Sequence, residues 1–237
     1  MSISWVDASR FARHTKVIAV ADVVESVRLM ELDEEEFIRR WHGFVGFVKQ
    51  RLPTDTGRMH KSLGDGLMLE FSEPEGCIRA ALAMQDWFNE GNQGLPPEQH
   101  VHLRIGAHVA EYVSDENDIY GNDVNLTARI ATLAGPGEIV ISAALRDRIH
   151  GELEAHVEDL GACHLKHVRQ PVRAYRVARA GRVGGVPNWA DMRLLTRASI
   201  AVLPFVTEGG DDVLGEAVGD EAVAGLSRSG QLQVISR

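Results

Sequence analysis

The chain has 237 residues, of which 44% are hydrophobic and 25% charged, with a formal net charge of -9. This composition is ordinary for a globular chain that buries a core, and the acidic balance argues against nucleic acid or an anionic membrane as a partner. Two cysteines, Cys77 and Cys163, are too few for a disulfide framework and are typical of a reducing compartment. Since no apolar run is long enough to span a bilayer and no signal segment opens the chain, we expect a cytoplasmic protein.

The first elements in chain order predict a strand, a helix and a hairpin. Residues 16–21 form a short apolar run typical of a buried strand that ends at Asp22. Residues 31–52 begin with acidic residues and continue with apolar residues at helical spacing, which predicts one amphipathic helix. Residues 58–71 form two extended runs joined by Gly-Asp-Gly and predict a hairpin with Asp65 at its turn.

The next elements extend the predicted order to βαββαβα. A stripe of apolar residues from Cys77 to Phe88 predicts a second helix. Residues 100–113 alternate as a strand does, and residues 121–134 predict a helix that is stopped by Gly135 and Pro136.

The rest of the chain predicts the end of one α+β domain and the start of another unit. A strand over 137–142, a short helix over 143–150 and strands near His156, near His164 and over 172–177 complete a domain at residues 1–180. Clustered glycine and proline predict a linker over 181–197. Residues 198–237 predict a βαβ segment that is too short to close a domain of its own.

Asp22 and Asp65 are predicted at the ends of neighbouring strands. A pair of carboxylates there can hold hard divalent cations through oxygen ligands. An aspartate at a strand end is also a common turn or cap residue, so this pair alone leaves both interpretations open.

Residues 16–178 resemble the class III nucleotidyl cyclases. The matching segments are VADVVESVRLM around Asp22, KSLGDGLMLEF from Lys61, RIGAHVAE from Arg104, DIYGNDVNLTARI from Asp118, and PGEIVIS. The resemblance implies a ferredoxin-like βαββαβ fold with extra C-terminal strands. It also implies an adenylate cyclase that converts ATP to cyclic AMP and pyrophosphate.

The resemblance carries six functional positions onto this chain. It implies that Asp22 and Asp65, with the main chain of Val23, hold two Mg²⁺ or Mn²⁺ ions per site. Asn125 then binds the ribose, and Arg129 stabilises the phosphate in the transition state.

The remaining two positions, Lys61 and Asp118, are implied to bind the base. Adenine offers an acceptor at N1 and donors on its amine, which match an ammonium and a carboxylate. Guanine presents the opposite polarity, so this pair favours ATP over GTP.

The family also implies a homodimer in which each site uses two chains. The metal carboxylates of one subunit then face Lys61, Asp118, Asn125 and Arg129 of the other subunit. A two-fold axis creates two equivalent sites of this kind.

Two departures weaken the resemblance near the phosphates. Glu25 stands where the family usually has glycine, and Val27 stands where it has a hydroxyl residue, so we expect reduced or regulated activity. In the loop HLKHVRQPV, Lys166 or Arg169 is a candidate cation for the terminal phosphates. Glu25 also keeps open a second hypothesis, a catalytically silent cyclase-homology domain that binds nucleotide or dimerises.

Residues 198–237 resemble the opening of a TolB-like segment that follows some bacterial cyclase domains. The resemblance implies that this part is truncated and that the C-terminal region binds a regulatory partner.

Overall fold

The computed structural model describes residues 12–62, 64–115, 118–151, 155–180, 198–201, 218, 221–222 and 232–235. Contacts divide the chain into two units, residues 1–186 and 187–237. Within the described ranges, none of the helices is both long enough and apolar enough to cross a membrane.

The first unit is an α+β domain, as the sequence predicts. Its strands are β1 (Ala12–Val23), β2 (Gly57–Ser62), β3 (Gly66–Phe71), β4 (Leu103–Ser114), β5 (Ile119–Tyr120), β6 (Ile139–Ser142), β7 (Ala155–Cys163) and β8 (Val172–Arg179). Its helices are α1 (Ser26–Leu32), α2 (Glu34–Arg51), α3 (Pro74–Gly91), α4 (Asn122–Ala131) and α5 (Ala143–Arg146), with short 3₁₀ turns at Leu52–Asp55 and Pro97–Gln99.

These strands form one sheet in the order β2-β3-β1-β4-β6-β8-β7, with β5 paired to β4. Strands β1 to β4 pair antiparallel, and β3 lies between β2 and β1. This arrangement is the predicted ferredoxin-like βαββαβ order. Strand β6 then pairs parallel with β4. Strand β8 pairs with β6, and β7 is the last strand on that side of the sheet, which confirms the extra C-terminal strands.

The sheet buries apolar side chains on both faces, which explains why β1 is apolar without interruption. Val17, Ala19 and Ala21 join the core formed with α2 and α3. Ile18 and Val20 join a second cluster that includes α4. Because successive side chains of a strand point to opposite faces, Asp22 belongs to the α4 face of the sheet.

Helix α4 approaches β4 closely at Gly106. A Cβ atom added to Gly106 would lie 2.2 Å from the backbone nitrogen of Ala131, so only glycine fits there. The glycine of the RIGAHVAE segment therefore serves helix packing, which fixes the position of α4 over the sheet.

Two element predictions were wrong in detail. The single helix predicted over 31–52 is split at Asp33, which is extended and accepts a hydrogen bond from the backbone N–H of Glu36 at 3.0 Å. This aspartate is an N-cap, and it starts α2 afresh after α1. The separate strands predicted near His156 and His164 are one strand, β7, and His164 lies just beyond its end.

In the second unit, strands β9 (Ala198–Ala201) and β10 (Leu232–Ile235) pair in parallel. Parallel neighbours need a crossover connection, which agrees with the predicted βαβ order. The proposed linker over 181–197 lies outside the described residues, so the boundaries at 180 and 198 and the TolB-like assignment stay predictions.

Candidate active site

The predicted metal carboxylates lie at the same end of two neighbouring strands, β1 and β3. Asp22 on β1 is opposite Gly66 on β3, the residue that follows Asp65. The backbone N–H of Val23 donates to the carbonyl of Asp65 at 3.2 Å. The end of β1 and the turn of the β2–β3 hairpin are therefore tied together, and the two aspartates are brought to the same end of the sheet.

Arg104 is a neighbour of Asp22 to which the sequence assigned no role. The two residues are directly opposite in the β1–β4 ladder. The Nε and Nη2 atoms of Arg104 donate to Oδ2 of Asp22 at 2.7 and 2.5 Å. The pairing depends on strand register, which a motif does not reveal.

The predicted base-binding residues, Lys61 and Asp118, form an ion pair although they are 57 positions apart. The Lys61 ammonium donates to both carboxylate oxygens of Asp118, at 2.8 and 2.6 Å. The backbone N–H of Ile119 also donates to Asp118 Oδ1, at 2.8 Å. The hydrogen bond from Lys61, followed by that from Ile119, lowers the pKa of Asp118, so its carboxylate is ionised at neutral pH.

A β-bulge directs Lys61 toward this pair. Met59 is opposite Leu69, but Lys61 is opposite Met68, so His60 is an extra residue in β2. Without the bulge, strand alternation would put Lys61 on the same face as Met59, which packs against the core with α2 and α3. The bulge therefore moves Lys61 to the α4 face, where Asp118 lies.

Lys61 and Asp118 line a cleft of about 790 Å³ that also includes Asn125. The other lining residues are Arg13, Met68, Glu111, Tyr112, Val113, Ile119, Tyr120, Gly121, Asn122, Asp123 and Val124. Asn125 and Arg129 are exposed and lie one turn apart on α4, and neither side chain bonds to another described residue. Of the predicted site residues, the cleft thus gathers Lys61, Asp118 and Asn125, while Asp22 and Asp65 lie elsewhere.

Comparison with known proteins agrees with this order of strands and helices. Residues 60–179 match the family model described as the adenylate and guanylate cyclase catalytic domain. The chain belongs to this cyclase family.

Relatives of this cyclase domain share both sequence and fold. The chain is 30% identical over 235 residues to "Putative adenylate cyclase 3" of Rhizobium meliloti (strain 1021). The match covers 95% of this chain but 40% of the relative, so the chain spans less than half of that protein.

Two solved structures have the same fold as the cyclase domain. The adenylate/guanylate cyclase/hydrolase from Silicibacter pomeroyi is 25% identical, with a TM-score of 0.60 over 70% of this chain and 98% of that chain. The adenylyl cyclase CyaB from P. aeruginosa is 19% identical, with a TM-score of 0.62 over 74% of this chain and all of that chain.

Glu25, where the family resemblance predicts glycine, has a backbone conformation that favours glycine. Its φ and ψ angles of 55° and 38° are left-handed, a conformation that glycine adopts without steric cost. The Glu25 carboxylate turns to Arg28 and accepts a hydrogen bond from its Nε at 2.7 Å. Val27, where a hydroxyl is usual, is 69% exposed.

Lys166 and Arg169 lie in the exposed connection between β7 and β8. Neither residue lines the cleft that contains Lys61 and Asp118. Their predicted contact with the terminal phosphates of a nucleotide therefore stays a prediction.

The carboxylates of Asp22 and Asp65 are suitable donors for a divalent cation whose remaining coordination positions are filled by other ligands. Among the described residues, no three His, Cys, Asp or Glu side chains converge on a metal position. Mg²⁺ is commonly held by one or two carboxylates together with substrate phosphates, so two aspartates at neighbouring strand ends have the right donor chemistry for it.

Proposed function

We propose that this cyclase domain converts ATP to 3′,5′-cyclic AMP and pyrophosphate. The observation that carries the proposal is the ion pair between Lys61 and Asp118 at the cleft. Lysine offers only donors and an ionised aspartate only acceptors, so the pair presents both kinds of group to one base.

The polarity of this pair favours adenine. The Lys61 ammonium matches the N1 acceptor of adenine, and the Asp118 carboxylate matches its N6 amine donors. With guanine the ammonium would face the N1 donor and the carboxylate would face the O6 carbonyl. A substrate that leaves buried polar groups of the site without a matching partner is strongly rejected, so GTP should be a poor substrate.

Asp22 and Asp65, with the main chain of Val23, would hold two Mg²⁺ or Mn²⁺ ions. When bound, such ions promote ionisation of the ribose 3′-hydroxyl and neutralise charge on the phosphates. Asn125 would orient the ribose, and the Arg129 guanidinium, which has no partner among the described residues, would donate to the α-phosphate as its charge develops.

We also propose that the complete site needs a second copy of the chain. The cleft contains the base-binding pair but neither predicted metal ligand, although Lys61 and Asp65 are only four positions apart. Residues on one hairpin that serve different sites are expected at a two-fold interface. Asn125 and Arg129 are exposed on α4, which leaves them accessible to such a partner.

The first experiment is to incubate the purified protein with ATP, GTP, CTP or UTP in turn, with Mn²⁺, and to quantify cyclic nucleotide. We expect cyclic AMP from ATP and its loss in Asp65→Ala. Lys61→Ala and Asp118→Ala should both lower the preference for ATP. Unchanged preference in both variants would contradict the base-recognition assignment.

A second candidate function is a silent domain that binds nucleotide or dimerises without turnover. Two observations favour it, namely Glu25 in the phosphate loop and the Arg104 guanidinium on Asp22. If a verified dimer makes no cyclic nucleotide from any substrate but binds ATP, the silent domain becomes the preferred function. The cytoplasmic location and a regulatory partner for the C-terminal region stay predictions.

A further inference from the structure

A buried carboxylate, that of Glu70, lies next to the base-binding cleft. The side chain of Glu70 on β3 is 8% exposed and accepts hydrogen bonds from three neighbours. Arg58 donates to its two oxygens at 3.1 and 2.9 Å, and the hydroxyl of Tyr112 donates at 2.5 Å. His60 Nε2 lies 2.6 Å from Glu70 Oε2.

Each partner of Glu70 is connected to the cleft. His60 is the bulged residue that immediately precedes Lys61. Arg58 is the last residue but one before the bulge and is directly opposite Glu70. Tyr112 lines the cleft itself. Glu70 therefore contacts β2 at two places, at the bulge through His60 and before it through Arg58. It also contacts the wall of the cleft on β4 through Tyr112.

We propose that Glu70 is a positioning residue for base recognition, which holds the His60 bulge and the Tyr112 wall so that Lys61 faces Asp118. The inference rests on the proposed function because it deepens the role of the Lys61–Asp118 pair. It assigns substrate selectivity to a residue that does not itself line the cleft.

The physical reason is the sensitivity of a strand to register. A shift of one residue in β2 would exchange its two faces and direct Lys61 toward the core side. The bulge keeps Lys61 on the α4 face only while His60 stays on the same face of the sheet as Glu70, where their hydrogen bond holds it. Because the Glu70 carboxylate is buried, its four hydrogen bonds strongly favour this one register over alternatives that leave the carboxylate unpaired.

The test compares Glu70→Gln with a control at another buried carboxylate. Asp55 is 1% exposed, accepts hydrogen bonds from Arg51 at 2.7 Å and Arg79 at 3.1 Å, and does not line the cleft. Asp55→Asn thus removes a similar buried charge that has no contact with Glu70, His60 or Tyr112 among its hydrogen-bond partners. For each variant, kcat and KM are measured with ATP and GTP, and folding is checked by circular dichroism and Tm.

We expect Glu70→Gln to lower the ratio of kcat/KM for ATP to that for GTP about tenfold, mainly through a higher KM for ATP. Asp55→Asn should lower Tm and leave the ratio unchanged. If Glu70→Gln does not fold, Tyr112→Phe removes the hydroxyl that donates to Glu70 and should shift the ratio in the same direction. An unchanged ratio in the folded variants, or an equal fall in Asp55→Asn, would overturn the inference.

A second readout separates this inference from the proposed function. The chain has four lysines, so ¹³C-methylated lysine signals are few and Lys61 is assigned with Lys61→Arg. We expect Glu70→Gln, but not Asp55→Asn, to move the Lys61 signal toward that of a solvated lysine. A wild-type protein that makes no cyclic nucleotide would refute the proposed function. The Lys61 signal would still decide the positioning role, and an unmoved signal in Glu70→Gln would overturn it.

Discussion

Glu25 holds a left-handed backbone conformation that is unfavourable for residues with a Cβ atom, by about 1 kcal/mol or more. Glu25→Gly removes this strain and loses only an exposed ion pair with Arg28. We therefore expect a higher free energy of unfolding, by on the order of 0.5 kcal/mol, in urea denaturation.

Glu25→Ala is the matched control, because it loses the same carboxylate but keeps the strained conformation. It should be no more stable than the wild type. Both variants should raise the rate with ATP if the carboxylate repels the phosphates. A gain in Glu25→Gly alone would instead assign the effect to the backbone.

Arg104 forms an ion pair with Asp22 and should therefore compete with a cation at this proposed metal ligand. Their ion pair is partly exposed, and such pairs contribute about 0.5 to 1 kcal/mol. Arg104→Gln should therefore lower the dissociation constant for Mn²⁺ about two- to fivefold, measured by electron paramagnetic resonance with Mn²⁺ alone.

The control for this titration is Arg173→Gln, which breaks the exposed ion pair with Asp159 on β7 and should leave the Mn²⁺ affinity unchanged. A weaker affinity in Arg104→Gln would mean that Arg104 orients Asp22 for the metal and does not compete with it.

At the residue scale, the sequence predicts side chains whose types and spacing form a motif. The family resemblance predicts that Lys61 and Asp118 bind one base together, and the structure places them within an ion pair, while the role in base binding stays a prediction. Arg104 on Asp22 and the His60 bulge were not predicted, because both depend on which residues are opposite each other in the sheet. Hydrophobic alternation does not determine register to one residue when a bulge is present.

At the scale of elements, Glu70 connects three strands, β2, β3 and β4. Burial raises the pKa of Glu70, but the hydrogen bonds from Arg58, Tyr112 and His60 outweigh it and lower the pKa to about 2. A carboxylate with a depressed pKa stabilises the fold above its unfolded pKa, and this stabilisation is lost as the pH falls toward the folded value.

Glu70→Gln should therefore destabilise the domain at pH 7 by on the order of 2 kcal/mol. The difference from wild type should shrink as the pH is lowered from about 4.5 toward 2, where Glu70 itself becomes protonated. Urea denaturation of both proteins across this range measures the difference. A constant difference at all pH values would mean that the ionised form of Glu70 does not stabilise the strands.

The element order was predictable because hydrophobic periodicity changes clearly between strands and helices. Strand β1 is buried on both faces and reads as a continuous apolar run. The break at Asp33 was missed because the acidic residues on either side continue a helical pattern, and only the hydrogen bond to Glu36 reveals the cap. Strand β7 is largely exposed, so its residues carry little apolar alternation from which to read its length.

At the scale of the whole molecule, the proposed dimer predicts complementation between two inactive variants. Asp65→Ala removes a proposed metal ligand, and Arg129→Ala removes the guanidinium that is proposed to stabilise the transition state from the other half of the site. If one site takes these residues from different chains, a dimer of the two variants has one site with both defects and one intact site. If one site takes both residues from the same chain, every site in that dimer keeps a defect.

The two variants are mixed in equal amounts under conditions that exchange subunits, and cyclic AMP production from ATP is measured. Random pairing makes half of the dimers mixed, so activity should recover to about one quarter of wild type. Each variant diluted with buffer is the control and should stay inactive. A mixture of Asp65→Ala with Asp22→Ala should not recover activity. If each site takes both metal carboxylates from one chain, every site in the mixed dimer lacks one of the two. Recovery in that second mixture would contradict the assignment of both carboxylates to one chain, whereas no recovery in the first would place the complete site within a single subunit.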